Sequence, residues 1–185
     1  MWLYVLGGVL LLALILVGWV VGAYNSLISL SQGADKAWSN VETDYQRRFD
    51  LIPNLVETVK GIVKQEQTVF TEVAQLRSQW AAASTPDEKM RIAQASDSVL
   101  GRLIAVAEAY PQIKSNENFL ALQDQLEGTE NRITVSRQRY NEAVTAYNIK
   151  TMRVPSNIIA NLFGFGEKEL FKAAAGSEQA PGVKF

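Results

Sequence analysis

The protein has 185 residues, with 18 Lys and Arg against 19 Asp and Glu, and it contains neither Cys nor His. A formal net charge of −1 gives no general attraction to nucleic acid, so we expect no nucleic acid partner. The absence of Cys excludes disulfides, thiol nucleophiles and thiolate metal sites. The absence of His removes the side chain that titrates nearest neutral pH and the commonest transition-metal ligand. We therefore expect a protein without a metal, a cofactor or an enzymatic activity.

The first 24 residues predict a single membrane-spanning helix. No charged side chain occurs before Asp35, and Trp2–Tyr24 is apolar apart from glycines and aromatic residues. At about 1.5 Å per residue this stretch covers roughly 34 Å, enough to cross a hydrocarbon core of about 30 Å. Aromatic side chains, which favour the two bilayer interfaces, lie near both ends of it: Trp2, Tyr4, Trp19 and Tyr24.

A cleaved signal peptide is the alternative interpretation of this segment. Val21-Gly22-Ala23 offers the small residues of a cleavage site. However, the segment lacks a basic n-region, and its apolar run is longer than a typical signal core. The pattern therefore favours a retained anchor in the cell membrane.

The distribution of basic residues bears on orientation. No Lys or Arg precedes the apolar segment, whereas Lys36, Arg47 and Arg48 follow it. The positive-inside rule then places the N-terminus outside and the following domain in the cytoplasm. Only Lys36 lies close to the membrane, so the sequence leaves the side of the membrane open.

Small residues are spaced four apart near the end of the anchor, at Gly18, Gly22 and Ser26. This spacing forms a flat face on which a second membrane helix can pack closely, and it predicts a homo-oligomer. The alternative is that glycine is simply common in membrane helices.

Residues 25–152 show helical periodicity throughout, which predicts an all-α fold: an up-down-up-down four-helix bundle whose first helix continues from the anchor. Pro53 predicts a tight reversal between the first and second helices, the alternative being one long helix kinked at this proline. The run Ala81–Ser84 ends the second helix.

Start signals are clearer for the last two helices. Thr85-Pro86-Asp87-Glu88 combines a cap, a first-turn proline and a capping box, and the third helix then extends to about Tyr110. Ser115–Asn118 starts the fourth helix, which Pro155 ends. Its apolar and small residues follow a coiled-coil-like heptad pattern: Phe119, Leu122, Leu126, Thr129, Ile133, Ser136, Tyr140, Val144 and Tyr147.

Few residues in the bundle are candidates for chemistry. Glu66 and Glu130 lie on or beside the apolar faces of their helices, where a buried carboxylate can act as an acid or base. Pairing with Arg47, Arg48 or Arg132 is the favoured alternative, because no second convergent group is evident. Two further pairs repeat at seven residues and predict either a register-fixing face or a ligand groove: Tyr140-Asn141 and Tyr147-Asn148.

The C-terminal segment, residues 153–185, begins with an amphipathic stretch. Ile158, Ile159, Leu162 and Phe163 share one helical face. Because four alternating helices return the chain to the membrane side, this face is expected to meet lipid or a neighbouring subunit. Packing against the base of the bundle is the alternative.

The chain resembles the bacterial LemA family over nearly its whole length. The motifs that carry the resemblance are Tyr24-Asn25-x-Leu27, Ala37-Trp38-Ser39-Asn40-Val41, Arg47-Arg48-x-Asp50-Leu51-Ile52-Pro53-Asn54-Leu55-Val56, Tyr110-Pro111, Asn116-x-Asn118-Phe119, Thr129-Glu130-Asn131, Tyr140-Asn141, Pro155-x-Asn157 and Pro181-x-Val183-x-Phe185. The resemblance implies a membrane-anchored helical bundle and brings no catalytic residue set. Ile62 and Gln65 stand where related sequences often have an aromatic residue and His.

Two functions remain open from the sequence. One is a structural or scaffolding component of the bacterial envelope that associates with itself in the membrane. The other is a tethered module that senses a ligand or recruits an envelope protein through the groove between its helices.

Overall fold

The computed structural model describes residues 1–61 and 67–172. These residues form six helices and no strand: α1 (Trp2–Lys60), α2 (Gln67–Ala82), α3 (Pro86–Glu108), α4 (Pro111–Lys114), α5 (Glu117–Met152) and α6 (Ser156–Phe163). The all-α prediction and the continuity of the apolar N-terminal segment with the first bundle helix are both confirmed. Ile62, Gln65, Glu66 and the motif at residues 181–185 lie outside the described residues.

The described residues divide into two compact units. The first contains Met1–Trp38 and Gln138–Leu170, and the second contains Ser39–Arg137 together with Phe171 and Lys172. Helices α1 and α5 each contribute residues to both units.

Within the second unit, α2 runs antiparallel to α1. The Lys60 ammonium near the end of α1 lies 5.6 Å from the Phe70 ring near the start of α2. At the other end of α2, the Trp80 ring lies 4.9 Å from that of Phe49, and its indole N–H donates to Gln46 at 3.0 Å. Helix α2 therefore returns alongside the C-terminal part of α1.

Helices α3 and α5 also pack in this unit. Lys89 pairs with Glu42, and Asp97 pairs with Arg48, so α3 runs parallel to α1. Arg102 pairs with Glu72 near the start of α2, whereas Lys89 lies over the Trp80 ring near its end. Helix α3 therefore runs antiparallel to α2. Glu130 of α5 also reaches Arg48. These pairs support the predicted alternation for α1, α2 and α3, and they place α5 beside α1.

The predicted reversal at Pro53 is wrong. Helix α1 passes through Pro53 and ends at Lys60. An interior proline costs about 3 kcal/mol, because it removes a backbone donor and crowds the preceding turn. The side chains of Phe49, Ile52 and Leu55 are buried on either side of it. At roughly 1.5–3 kcal/mol for each fully buried apolar side chain, this packing outweighs the defect.

The predicted starts of the third and fourth bundle helices are confirmed. The Thr85 hydroxyl accepts from the Glu88 backbone N–H at 3.3 Å, and the Glu88 carboxylate accepts from the Thr85 N–H at 3.4 Å. The Asn116 side chain accepts from the first free N–H groups of α5, those of Asn118 and Phe119. Every predicted apolar position of α5 from Leu126 to Tyr147 is buried.

Candidate membrane interface

The first part of α1 exposes its apolar side chains. Met1 to Val17 show large hydrophobic residues with more than half of their surface accessible, and Trp19 remains 39% exposed. Helix α1 is the one helix among residues 1–61 and 67–172 that is long and apolar enough to cross a membrane. Water is a poor solvent for such a surface, and a hydrocarbon core suits it.

Helix α6 packs against α1 where this exposed stretch ends. Ile159 and Ala160 form a buried cluster with Ala23 and Leu27 of α1. The Tyr24 ring meets two aromatic rings edge-on, that of Phe163 at 4.8 Å and that of Phe165 at 5.7 Å. Tyr24 therefore lies in a packed corner of the first unit.

The predicted tail face is divided by this packing. Ile159 points into the cluster on α1, whereas Ile158 is 61% exposed and Leu162 is 73% exposed. Phe163 contacts Tyr24 yet leaves half of its surface accessible. Packing against α1 thus accounts for Ile159 and for the covered half of Phe163. Contact of the exposed surface of Ile158, Leu162 and Phe163 with lipid or a partner stays a prediction.

The face of small residues on α1 is open. A Cβ added at Gly18 or Gly22 would meet no atom within 4 Å outside the helix's own neighbouring backbone. This geometry allows a second helix to approach closely at these positions. Self-association through them remains a prediction.

An extended segment follows α6 and lies along α5 in the first unit. We call residues 164–170 the strap. It begins at Gly164, whose positive φ of 75° caps α6 in a left-handed conformation that side-chain-bearing residues rarely adopt. The Tyr147 hydroxyl donates to the Gly166 carbonyl at 2.9 Å, and the Tyr140 hydroxyl donates to the Glu169 carbonyl at 3.0 Å.

Asn148 holds the strap by a two-way amide contact. Its side-chain N–H donates to the Lys168 carbonyl at 2.9 Å, and its side-chain oxygen accepts from the Lys168 N–H at 3.0 Å. The Lys168 ammonium lies 2.5 Å from the Asp35 carboxylate and 5.5 Å from the Tyr147 ring. Burial raises the pKa of the Tyr147 phenol, and Asp35 adds to that rise.

These contacts show what three residues of the repeated Tyr-Asn pairs bind. Tyr140, Tyr147 and Asn148 bind backbone groups of the chain's own C-terminal segment. The seven-residue repeat placed them correctly on one face of α5. It carried no signal for their partner, because the strap is extended and has no periodicity.

In the second unit, Arg48 is a buried cation, with only 3% of its surface accessible. It forms ion pairs with Asp97 and Glu130, and Arg137 lies 3.8 Å from the other Asp97 oxygen. Glu130 is therefore a partner of Arg48, the alternative that the sequence favoured over acid–base chemistry. The other candidate, Glu66, lies outside the described residues.

Tyr45 is buried beneath this charge cluster. The Arg48 guanidinium lies 5.2 Å from its ring centroid, and the Phe171 ring stacks on it at 6.4 Å. Burial raises the pKa of the Tyr45 phenol; Asp97 acts in the same direction, whereas Arg137 and Arg48 oppose it. Arg137 also covers the Phe171 ring at 4.8 Å. The cluster thus joins α1, α3, α5 and Phe171.

A groove lies beside the cluster, between α3 and α5, with a volume of about 440 Å³. Apolar side chains line it, among them Leu100, Ile104 and Leu126, and its polar rim includes Asp97 and Glu127. Within the described ranges 1–61 and 67–172, no three Asp or Glu residues are placed to hold a metal ion.

The fold and this interface define a class: all-helical, membrane-associated proteins with one apolar N-terminal helix. The model of the LemA family matches residues 37–185, and the chain belongs to the LemA family. The match begins after the apolar segment, so that segment lies outside it.

Several curated proteins are similar to this chain. Magnetosome protein MamQ 2 of Paramagnetospirillum magneticum is 27% identical over 175 residues, which cover 80% of this chain and 64% of that protein. Magnetosome protein MamQ of Magnetospirillum gryphiswaldense is 24% identical over 174 residues, with the same shares. Protein LemA of Metamycoplasma hominis is 21% identical over 155 residues, which cover 83% of this chain and 71% of that protein. The chain thus spans 64% of the length of the MamQ relatives.

Proposed function

We propose that this protein is a non-catalytic scaffold of the bacterial cell envelope, anchored by residues 1–24 and self-associating in the membrane. The observation that carries the proposal is helix α1. Its first residues expose a continuous apolar surface, and the same helix then buries Val41, Tyr45 and Phe49 among the bundle helices. One element thus serves both as membrane anchor and as core helix. In this proposal, residues 25–152 form the helical bundle and residues 153–185 form the C-terminal segment.

Orientation follows from the basic residues nearest the anchor. Lys150 and Arg153 lie beside Gly22 of α1, on the same side of the apolar stretch as Lys36. Three positive charges on the bundle side support a cytoplasmic bundle and an external N-terminus.

A binding module is the second candidate, favoured by the groove between α3 and α5. Its polar lining includes Arg48 and three carboxylates, two of which, Asp97 and Glu130, pair with Arg48. The apolar lining together with the Glu127 carboxylate suits a basic, amphipathic segment of a partner protein. The two candidates differ in the state of the isolated protein. A scaffold forms a defined large particle in detergent, whereas a module is a monomer until its partner is added.

Particle size of the full-length protein, measured by light scattering in detergent, tests the scaffold. We expect a homo-oligomer that Gly18→Ile with Gly22→Ile reduces in size, because the added side chains prevent close helix approach. Helicity should stay unchanged, since both positions are open. Ala13→Ile is the matched control, because Ala13 lies on the opposite side of α1 and is also exposed. A monomeric wild-type protein would contradict the scaffold function and favour the binding module.

A further inference from the structure

The corner between α5 and α6 encloses a cavity of about 400 Å³ next to α1. Trp19 and Gly22 contribute one wall from α1, and Lys150 and Arg153 contribute another from the end of α5 and the residue after it. All the lining residues belong to the first unit. The cavity lies where the exposed apolar stretch of α1 gives way to the packed cluster around Ala23.

The polar part of this cavity is cationic. Lys150 and Arg153 line it, no acidic side chain does, and neither cation has an ion-pair partner within residues 1–61 and 67–172. The single O–H of the buried Ser156 hydroxyl is shared between the carbonyl oxygens of Lys150 at 2.7 Å and of Arg153 at 2.8 Å. This double contact fixes the two backbones relative to each other. The corner therefore brings two basic residues to one cavity, and no acidic side chain is among its lining residues.

Apolar surface flanks the cations. Val154 is 74% exposed, and Ile158 and Leu162 of the adjoining helix are exposed as well. Trp19, on the opposite wall, is a residue type that favours the headgroup level of a bilayer. A ligand that contacts both the cations and the apolar residues carries a negative charge next to a hydrocarbon chain.

We propose that this corner binds the phosphate-bearing headgroup of an anionic phospholipid, with Lys150 and Arg153 as its cationic contacts. The acyl chains then lie against Val154, Ile158 and Leu162. The inference rests on the proposed membrane anchoring of α1, because only a spanning α1 brings the cavity to headgroup level. It adds a lipid class and a binding site to that function.

Native mass spectrometry of the full-length protein in detergent tests the proposal. The probes are phosphatidylglycerol, phosphatidylcholine and, as a soluble source of the same anion, inorganic phosphate. We expect tighter binding of phosphatidylglycerol than of phosphatidylcholine. A basic side chain near an anionic membrane surface is worth about 1 kcal/mol, a factor of about five, so Lys150→Gln with Arg153→Gln should weaken phosphatidylglycerol binding about 25-fold.

Two control variants distinguish binding at this site from a general effect of the protein's net charge. Lys36→Gln with Arg139→Gln removes the same charge from exposed positions of the first unit and should leave binding unchanged. Lys150→Arg with Arg153→Lys keeps the charge and should keep binding. An equal loss in both Gln variants, or no preference for phosphatidylglycerol, would overturn the proposal. Inorganic phosphate that displaces the lipid at equal concentration would show a soluble-phosphate site and would also overturn it.

Flotation with neutral phosphatidylcholine vesicles distinguishes failure of the lipid site from failure of the proposed membrane anchoring. A wild-type protein that floats with neutral vesicles yet shows no preference for phosphatidylglycerol retains its anchor and lacks the site. A protein that does not float lacks the membrane anchoring on which both proposals depend.

Discussion

At the residue scale, the buried Arg48 connects three helices of the second unit through polar contacts. It contributes contacts to α3 through Asp97, to α5 through Glu130 and to the ring of Tyr45. A charge taken out of water is tolerated only when it is paired and hydrogen-bonded. Both carboxylate partners retain access to solvent, at 40% and 51% of their side-chain surface, so water screens part of the attraction. Arg48 thus fixes which residues of three helices face one another.

We expect Arg48→Met to lower the free energy of unfolding by about 2 kcal/mol, since hydrogen bonds to charged groups contribute about 1.5–3 kcal/mol. The methionine fills part of the space, and the partly exposed carboxylates return to water. Urea unfolding of the full-length protein in detergent measures the change. Arg47→Met is the matched control, because Arg47 is the exposed neighbour on the same helix. Equal effects of the two substitutions would show that the Arg48 pairs contribute nothing specific.

At the element scale, helix starts could be read from the sequence, whereas one helix end could not. The capping signals at Thr85 and Asn116 act through groups a few residues apart, so their geometry is local. The outcome at Pro53 depends on packing of Phe49 and Ile52 against residues far along the chain. A proline's local cost is visible in a sequence, but the burial that offsets it is not.

In the candidate membrane interface, too, local features could be predicted from the sequence and distant contacts could not. The periodicity of residues 158–163 correctly identified an apolar helix, because amphipathicity is local. Which of its residues would meet α1 depended on the turn after Arg153, so Ile159 could not be told from Ile158. The partners of Tyr140 and Asn148 were hidden for a similar reason. The strap reaches them from at least 20 residues away, and it presents backbone groups that every sequence shares.

The capping box of α3 carries a pH-dependent contribution. Hydrogen bonds from the backbone N–H groups of Ser84 and Thr85 lower the pKa of the Glu88 carboxyl below its ordinary 4.5. A folded-state pKa below the unfolded value means that the stabilisation is present above pH 4.5 and is lost as the pH falls through the folded-state pKa.

We therefore expect Glu88→Gln to be less stable than wild type at neutral pH, with the difference shrinking as Glu88 becomes protonated. Thermal unfolding as a function of pH measures this. Thr85→Ala should cost about 1 kcal/mol at neutral pH, since it removes the other half of the box. Asp87→Asn removes a charge from the same helical turn without touching the box and serves as the control. A Glu88→Gln difference that persists undiminished in acid would argue against the capping box as its source.

At the scale of the whole molecule, membrane anchoring is the property from which the other proposals follow. The exposed apolar surface at the start of α1 is too extensive for a water-facing helix. Packing of α6 against Ala23 and Leu27 brings further exposed apolar residues to the end of that stretch. Self-association through Gly18 and Gly22 and binding of an anionic lipid at Lys150 and Arg153 both require this region to lie in or at a bilayer.

Labelling of single cysteines in intact cells tests the anchoring most directly. The native chain contains no Cys, so each introduced thiol reports on one position alone. Leu3→Cys and Ser84→Cys place thiols at the exposed start of the apolar stretch and in the exposed connection between α2 and α3. We predict that a membrane-impermeant maleimide labels Leu3→Cys in intact cells and labels Ser84→Cys only after permeabilisation. Labelling of both positions from the same side of the membrane would show that α1 does not cross it and would contradict the account.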